Sequence, residues 1–250
     1  MTHDAPRFVD GPNGKIAVRS VSGAGPTVVW LGGFKSDMLG TKAETLSEWA
    51  TREGRAYVRF DYSGHGESEG AFEDGTISAW TADALAVLDG ETEGPLVLVG
   101  SSMGGWIALL AALARTLRIA GLVLIAPAPD FTEDLIWPGL DEAQRKTLME
   151  TGRLERPSEY GDEPYVYTRA LIEDGRKNLL LGASIDLDVP VRILQGAADP
   201  DVPWRHAARL LDVLTGNDVV MTLDRVGDHR MSEPRQLGML VQAVGEVSGG

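Results

Sequence analysis

Short apolar runs of β type alternate along this chain with stretches whose apolar residues recur at helical spacing. That alternation predicts an α/β fold, a mostly parallel sheet covered by helices on both faces. Residues 7–10 and 15–21 read as opening strands. The turn formers Gly11-Pro12-Asn13-Gly14 between them predict an antiparallel hairpin. Six further strands are expected over residues 27–31 (TVVWL), 56–62, 96–99, 122–126, 191–195 and 219–223, so the sheet should have eight strands. Leu46, Trp49 and Ala50 share one face of a helix over 42–53 that Gly54 stops. Ile77, Trp80, Ala84 and Leu88 share a face of the next, with Gly90 closing it. From Met103 to about residue 116 a helix is apolar nearly all round, as expected of one buried behind a site. Two more helices are predicted over about 203–214 and 234–244.

Between residues 127 and 188 the pattern changes. Prolines at 127, 129, 138, 157 and 164 interrupt short helical pieces, and Phe131, Trp137, Tyr160, Tyr165 and Tyr167 are concentrated there. So long a stretch between two sheet strands is too long for a bare loop. It is expected to form a small inserted helical cap, with residues 1–126 and 189–250 making the core. No repeat or low-complexity segment is present.

Composition narrows the chemistry. At 250 residues the chain can bury one large core. It has no cysteine, which excludes disulfides, thiolate metal sites and a cysteine nucleophile. A net charge of −14 argues against nucleic acid or an anionic membrane as the main partner, because both reward Lys and Arg. No apolar run approaches the roughly 20 residues needed to cross a bilayer, so stable membrane insertion is not expected. The stretch MTHDAPRFVDGPNGK has neither the apolar core of a signal peptide nor the Arg-rich, acid-poor character of a transit peptide. A cytoplasmic protein is the expectation. No cofactor or metal is expected: a Walker lysine is missing after the glycines of residues 60–68, and the four histidines are scattered singly.

The stretch LVLVGSSMGG, from Leu96 to Gly105, is an apolar run that ends in Gly-Ser-Ser-Met-Gly and passes straight into a helix. In a G-x-S-x-G turn the central serine is presented on a tight strand-to-helix bend, and the flanking glycines avoid collisions with neighbouring backbone. Ser102 is therefore the candidate nucleophile, while Ser101 is out of frame. A serine hydroxyl needs a base, and the base needs an acid to orient it. His229, just after the last predicted strand, is favoured; His206, on a helix face, is the rival. His3 lies near the chain start and His65 in a Ser-Gly-His-Gly turn. Asp199, after the strand ending at Gln195, is the favoured acid, with Asp201 as its substitute and Asp228 read as solvated. Two backbone N–H groups should hold the oxyanion, that of Met103 and that of Phe34 after Gly32-Gly33. The segment Phe60 to Ser68 is read as structural. Trp137, Leu140, Met149, Tyr165, Tyr167 and Leu171 are candidates for an apolar acyl slot, as is Trp204, although packing within the cap accounts for the same residues.

These motifs together resemble those of α/β-hydrolases. More narrowly, WLGGFKSDMLGTKA (residues 30–43), VRFDYSGHGES (58–68), LVGSSMGGW (98–106), DPDVPW (199–204) and GDHRM (227–231) are similar to the subfamily of the mitochondrial palmitoyl-protein thioesterase and acyl-glucuronide esterase and its bacterial relatives. The resemblance implies Ser102, Asp199 and His229 as the triad and Phe34 and Met103 as oxyanion donors. It implies hydrolysis of acyl esters or thioesters, small or protein-linked, through an acyl-enzyme. A carboxylesterase, lactonase or carbon-carbon bond hydrolase shares the same fold and triad, and a non-catalytic ligand-binding protein is the alternative of another class.

Overall fold

The computed structural model describes residues 5–157 and 164–249; His3 and Tyr160 lie outside them. Strands β1 (Arg7–Gly11) and β2 (Gly14–Val21) form the expected hairpin, with Gly11 opposite Gly14 across Pro12-Asn13. The chain then runs through β3 (Ala24–Leu31), α1 (Thr41–Glu53), β4 (Arg55–Phe60), α2 (Ile77–Glu91), β5 (Leu96–Ser101), α3 (Met103–Ala114) and β6 (Ile119–Ile125). Next come α4 (Glu142–Thr151), β7 (Arg153–Arg156), β8 (Tyr165–Thr168) and α5 (Arg169–Gly175). The last part comprises β9 (Val191–Gly196), α6 (Trp204–Ala208), α7 (Leu210–Val213), β10 (Val219–Asp224) and α8 (Pro234–Val247).

Eight strands form one sheet in the order β1-β2-β4-β3-β5-β6-β9-β10, parallel from β4 to β10 and antiparallel at β1 and β2. Side chains of a strand alternate between faces, so a central strand must be apolar on both. In β5, Leu96 and Leu98 join the core shared with α2 and α3, while Val97 and Val99 join the core under α1 and α8. Helix α3 is apolar all round because it is covered on more than one side. It packs on the sheet and α2, and Trp106 reaches the 127–188 region, donating its indole N–H to the Asn178 carbonyl at 3.0 Å and meeting Phe131 edge to face.

Three elements depart from expectation. Helix α2 passes through Gly90 to Glu91, and Gly54, unlike Gly90, does end its helix in the left-handed conformation. A helical glycine costs only about 1 kcal/mol, and the Thr92 hydroxyl holds the Leu88 carbonyl at 2.6 Å past it. The helix expected over 203–214 is broken at Arg209 into α6 and α7. Residues 127–188 are not purely helical: β7 and β8 pair antiparallel, Arg153 opposite Thr168. Runs as short as RLER or YVYT carry too little periodicity to declare themselves as strands.

The two ends of that region are tied to each other. The buried Asp130 carboxylate accepts the N–H groups of Leu180 and Leu181, both at 2.8 Å. His206, on α6, holds the Pro129 carbonyl at 2.7 Å.

Candidate active site

Ser102 stands between β5 and α3 with φ 55° and ψ −118°, a conformation that costs a non-glycine residue about 1–3 kcal/mol. The surroundings hold it there. Its N–H donates to the Ile125 carbonyl at 2.9 Å, and its own carbonyl accepts from Gly105 and Ala128. A Cβ at Gly100 would strike the Gly104 carbonyl, and one at Gly104 the carbonyls of Leu31 and Gly32. The GxSxG spacing therefore exists so that the turn can press against both α3 and the end of β3.

Two other segments converge on this turn. The Ser102 hydroxyl lies 3.1 Å from Nε2 of His229, and the Nδ1 of that ring lies 2.9 Å from Oδ2 of Asp199. His229 sits in the loop after β10. There the Ala198 N–H donates to the Gly227 carbonyl and the Asp228 carboxylate accepts from the Met231 N–H. Asp228 thus shapes the loop that carries the imidazole. Asp199 follows β9, and its side chain is fully buried. Its Oδ1 accepts the N–H groups of Asp201 and Val202, each at 2.9 Å, and its Oδ2 accepts from the Gln195 amide at 3.1 Å as well as from His229. All four acceptor positions of the carboxylate are filled. A hydroxyl, an imidazole and a desolvated carboxylate in series can take a proton from the hydroxyl and stabilise the imidazolium that results.

The rival residues are placed elsewhere. His206 is buried, its Nε2 committed to the Pro129 carbonyl, and burial lowers its pKa. Asp201 lines the cavity and gives its backbone N–H to Asp199. The ligand atoms of Asp199, Asp201 and His229 lie within 4.8 Å of one another, the one such grouping among the described residues. A metal there would have to displace donors from an Asp199 carboxylate that is already saturated.

A cavity of about 420 Å³ opens over Ser102, within the range of small-molecule sites. Gly33, Phe34 and Met103 line it beside the serine. A Cβ on Gly33 would lie 3.5 Å from that of Ser102, so the end of β3 passes directly alongside the hydroxyl. Phe131, Leu135 and Ile136 also line the cavity, with Tyr165, Tyr167 and Arg156, the residue opposite Tyr165 in the β7–β8 pair. Phe34 stacks on Tyr167 with centroids 6.0 Å apart, and Tyr167 stacks on Tyr165 at 6.3 Å. Burial raises the pKa of Tyr167. Lys42 also lines the cavity and donates to the Arg230 carbonyl; its pKa is lowered to about 8, chiefly by burial, with Asp228 opposing and Arg230 assisting.

Trp137 and Trp204 do not line this cavity, which corrects the expectation for both. The guanidinium groups of Arg145 and Arg176 sit 5.2 and 4.6 Å from the Trp137 ring centroid, and Arg205 lies over Trp204 at 4.3 Å. Both indoles serve cation–π contacts. Leu140 and Leu171 are buried in the core, and they and Met149 are absent from the lining. Gln195, expected only as the end of a strand, supports Asp199. A lone amide in the buried run VRILQG was the signal for it, because a buried polar side chain requires a partner.

Residues 23–240 match the alpha/beta hydrolase family, and the chain belongs to that family. It is 35% identical over 239 residues to the mitochondrial palmitoyl-protein thioesterase ABHD10 of Bos taurus, an alignment covering 95% of this chain and 77% of that protein. The Homo sapiens protein of the same name is 34% identical with the same coverage. Among solved structures, the alpha/beta hydrolase domain-containing protein 10 from mouse superposes with a TM-score of 0.90 at 32% identity, covering 97% of this chain and 98% of that one. A candidate hydrolase from Agrobacterium vitis S4 superposes at 0.94 with 48% identity and the same coverage. These relatives also correct the expected cytoplasmic location, because the mammalian proteins are named as mitochondrial. That expectation rested on the composition of fifteen residues, which does not decide a compartment. Among the described residues, no helix is long and apolar enough to cross a membrane.

Proposed function

We propose that the protein is a serine hydrolase of acyl thioesters and esters, working through an acyl-enzyme on Ser102. The observation that carries this reading is the continuous hydrogen-bonded series Ser102 Oγ, His229, Asp199, set on a strained turn at the floor of an aromatic-walled cavity. Ser102 Oγ attacks the acyl carbonyl carbon as its proton passes to Nε2 of His229. Charge develops on the carbonyl oxygen and is received by the N–H groups of Phe34 and Met103. The tetrahedral adduct collapses, its bond to sulfur or oxygen breaks, and His229 returns the proton to the departing group. Water then gives a proton to the same imidazole as it attacks the acyl-serine; the second adduct collapses, its bond to Ser102 Oγ breaks, and His229 returns the proton to that oxygen as the carboxylic acid leaves.

The name of the mammalian relatives supports a thioester as the bond cleaved and a long acyl chain on a protein cysteine as the substrate class. Phe131, Leu135 and Ile136 in the lining support the long acyl chain. In this reading residues 127–188 act as the cap: Phe131, Leu135, Ile136, Tyr165 and Tyr167 receive the acyl chain, and the rest of the region holds them over the serine. A panel of acyl thioesters and oxygen esters of graded chain length tests the assignment beside Ser102→Ala. Loss of turnover by about 10⁶-fold in that variant is expected, as when other triads lose their nucleophile. Undiminished hydrolysis by Ser102→Ala would remove Ser102 as the nucleophile, whereas no turnover and no labelling of wild type by a fluorophosphonate would return the protein to the class of non-catalytic binders.

A further inference from the structure

The segment VRFDYSGHGES has no part in the chemistry above, yet it suspends the loop that carries Phe34. Two side chains make the suspension. Asp61, buried at the end of β4, accepts the Met38 N–H at 2.7 Å through one oxygen and the Glu67 N–H at 2.9 Å through the other. His65 accepts the Lys35 N–H on Nε2 at 3.2 Å. The loop after β3 is thus held at residue 35 and again at residue 38 from one neighbouring turn.

The tie at Lys35 falls where the backbone most needs one. Lys35 has φ 56°, a left-handed conformation that a residue with a Cβ adopts at a cost. Its N–H belongs to the peptide plane that begins at the Phe34 carbonyl, so fixing its direction fixes the ψ angle of Phe34. Phe34 is the residue whose own N–H faces the developing oxyanion in the mechanism proposed here. The ring that accepts this bond is immobile. His65 is 4% exposed and is packed edge to face against Tyr62, Phe72 and Trp80, with centroids 5.1 to 5.6 Å away. Phe72 and Trp80 also pack on the Phe34 ring, so one aromatic cluster grips both ends of the tie.

The tautomer follows from the partners. Nε2 faces an N–H and must be the acceptor, so Nδ1 carries the proton and donates to the Ser63 carbonyl, 3.3 Å away. Ser63 is locked in turn: the Asp83 carboxylate accepts its N–H at 2.9 Å and its hydroxyl at 2.6 Å, and the Trp80 indole donates to its carbonyl. Burial lowers the pKa of His65 to about 4, against smaller opposing effects of Ser63 and Asp83, so the accepting lone pair is present throughout the neutral range.

We propose that His65 is a positioning residue for the oxyanion site: its Nε2 lone pair holds the strained Lys35 peptide and thereby aims the Phe34 N–H at the reacting oxygen. The inference rests on the serine-hydrolase reading above. Two substitutions separate the halves of the ring. Gln places a carbonyl oxygen near the position of Nε2 and keeps an acceptor for Lys35. Asn places its amide near Nδ1 and can keep the Ser63 contact, but it cannot reach Lys35. Turnover of an acyl thioester is measured for both, below the unfolding temperature of each. His65→Gln should stay within about fivefold of wild type. His65→Asn should lose about 10²-fold in kcat with KM within about threefold, near the loss when an oxyanion donor is removed. Equal kcat in the two variants, whether both high or both low, overturns the proposal. Ser102→Ala separates the two failures. An inactive Ser102→Ala beside a fully active His65→Asn removes only the role of His65, whereas an active Ser102→Ala removes the serine mechanism itself.

Discussion

Two loops at the same rim of the sheet each present a histidine, and the pairs of partners they offer are opposite in kind. In the loop after β10, His229 has a carboxylate on one ring nitrogen and a hydroxyl on the other, and its side chain is 18% exposed. In the loop after β4, His65 has a carbonyl on one nitrogen and a peptide N–H on the other, inside an aromatic cage. An imidazole can cycle a proton only where one neighbour can yield it and another can balance the charge that follows. His229 has both neighbours. His65 has neither, and a proton arriving on its Nε2 would face an N–H instead of a lone pair. In the mechanism proposed above, the same side chain serves chemistry in one loop and backbone geometry in the other, and the partners make the difference.

The largest test of that contrast removes each ring in turn. His229→Ala should lower kcat by about 10⁶-fold, close to the loss of the whole assembly, because a serine without its base is a poor nucleophile. His65→Gln, assayed on the same thioester, should stay within about fivefold. Comparable losses would erase the distinction. A step smaller, Asp199→Asn should cost about 10⁴-fold in kcat. An amide there must turn an NH₂ either toward Asp201 and Val202 or toward Gln195 and His229, and each of these is a donor. Crystal structures of the variant would show which pair of contacts is given up.

How much of this was legible beforehand follows the same division. The meeting of Ser102, His229 and Asp199 is legible in the chain because each follows the carboxyl end of a strand, and those ends share one rim in a parallel sheet, so order along the chain becomes proximity in space. Strand β5 is readable because a short run apolar at every position fits a strand buried on both faces; it continues through Gly100 to Ser101, past the expected end at Val99. Trp137 is hard to read because an aromatic in a Pro-rich region looks alike whether it meets an acyl chain or an arginine, and its partners Arg145 and Arg176 are set by folding of that region; Trp204 lies outside the region and is covered by its own neighbour, Arg205. The β7–β8 pair was hidden in four-residue runs. His65 was seen and assigned to a turn, which is correct for its backbone. What it holds, the N–H of a residue thirty positions earlier, has no local trace.

A third test uses pH to separate the two environments without reference to catalysis. His65 in the folded protein takes its proton only near pH 4, against an ordinary value of 6.5, chiefly because burial disfavours the charged ring. Between those values the unfolded chain binds more protons than the folded one, so stability rises with pH there. The contribution of neutral His65 is complete above about pH 6.5 and is lost as pH falls through 4. The total is on the order of 3 kcal/mol at about 1.4 kcal/mol for each unit. Denaturant unfolding of wild type and His65→Gln at pH 7, 5.5 and 4.5 should show wild type losing more stability than the variant as pH drops. Parallel curves would mean that the ring titrates freely and is not held as the cage suggests.

The finest comparison is within the His229 loop's own support. Gln195 donates one amide nitrogen to Asp199, to Val202 and to the Gly196 carbonyl, while its amide oxygen is buried with no partner. Replacing it by Leu removes a charge-assisted bond and an unsatisfied acceptor, along with the contacts to the Val202 and Gly196 carbonyls. The first loss acts on the carboxylate that must stabilise an imidazolium; the second relieves a buried polar atom. Bonds to charged groups contribute about 1.5–3 kcal/mol in all, but only the part that strengthens as charge builds on His229 changes the rate. Gln195→Leu should therefore lower kcat by about tenfold while leaving the unfolding midpoint within a few degrees of wild type. A midpoint that falls while kcat is kept would make Gln195 a packing element of β9, and the acid would then be oriented by the two N–H groups at its other oxygen alone.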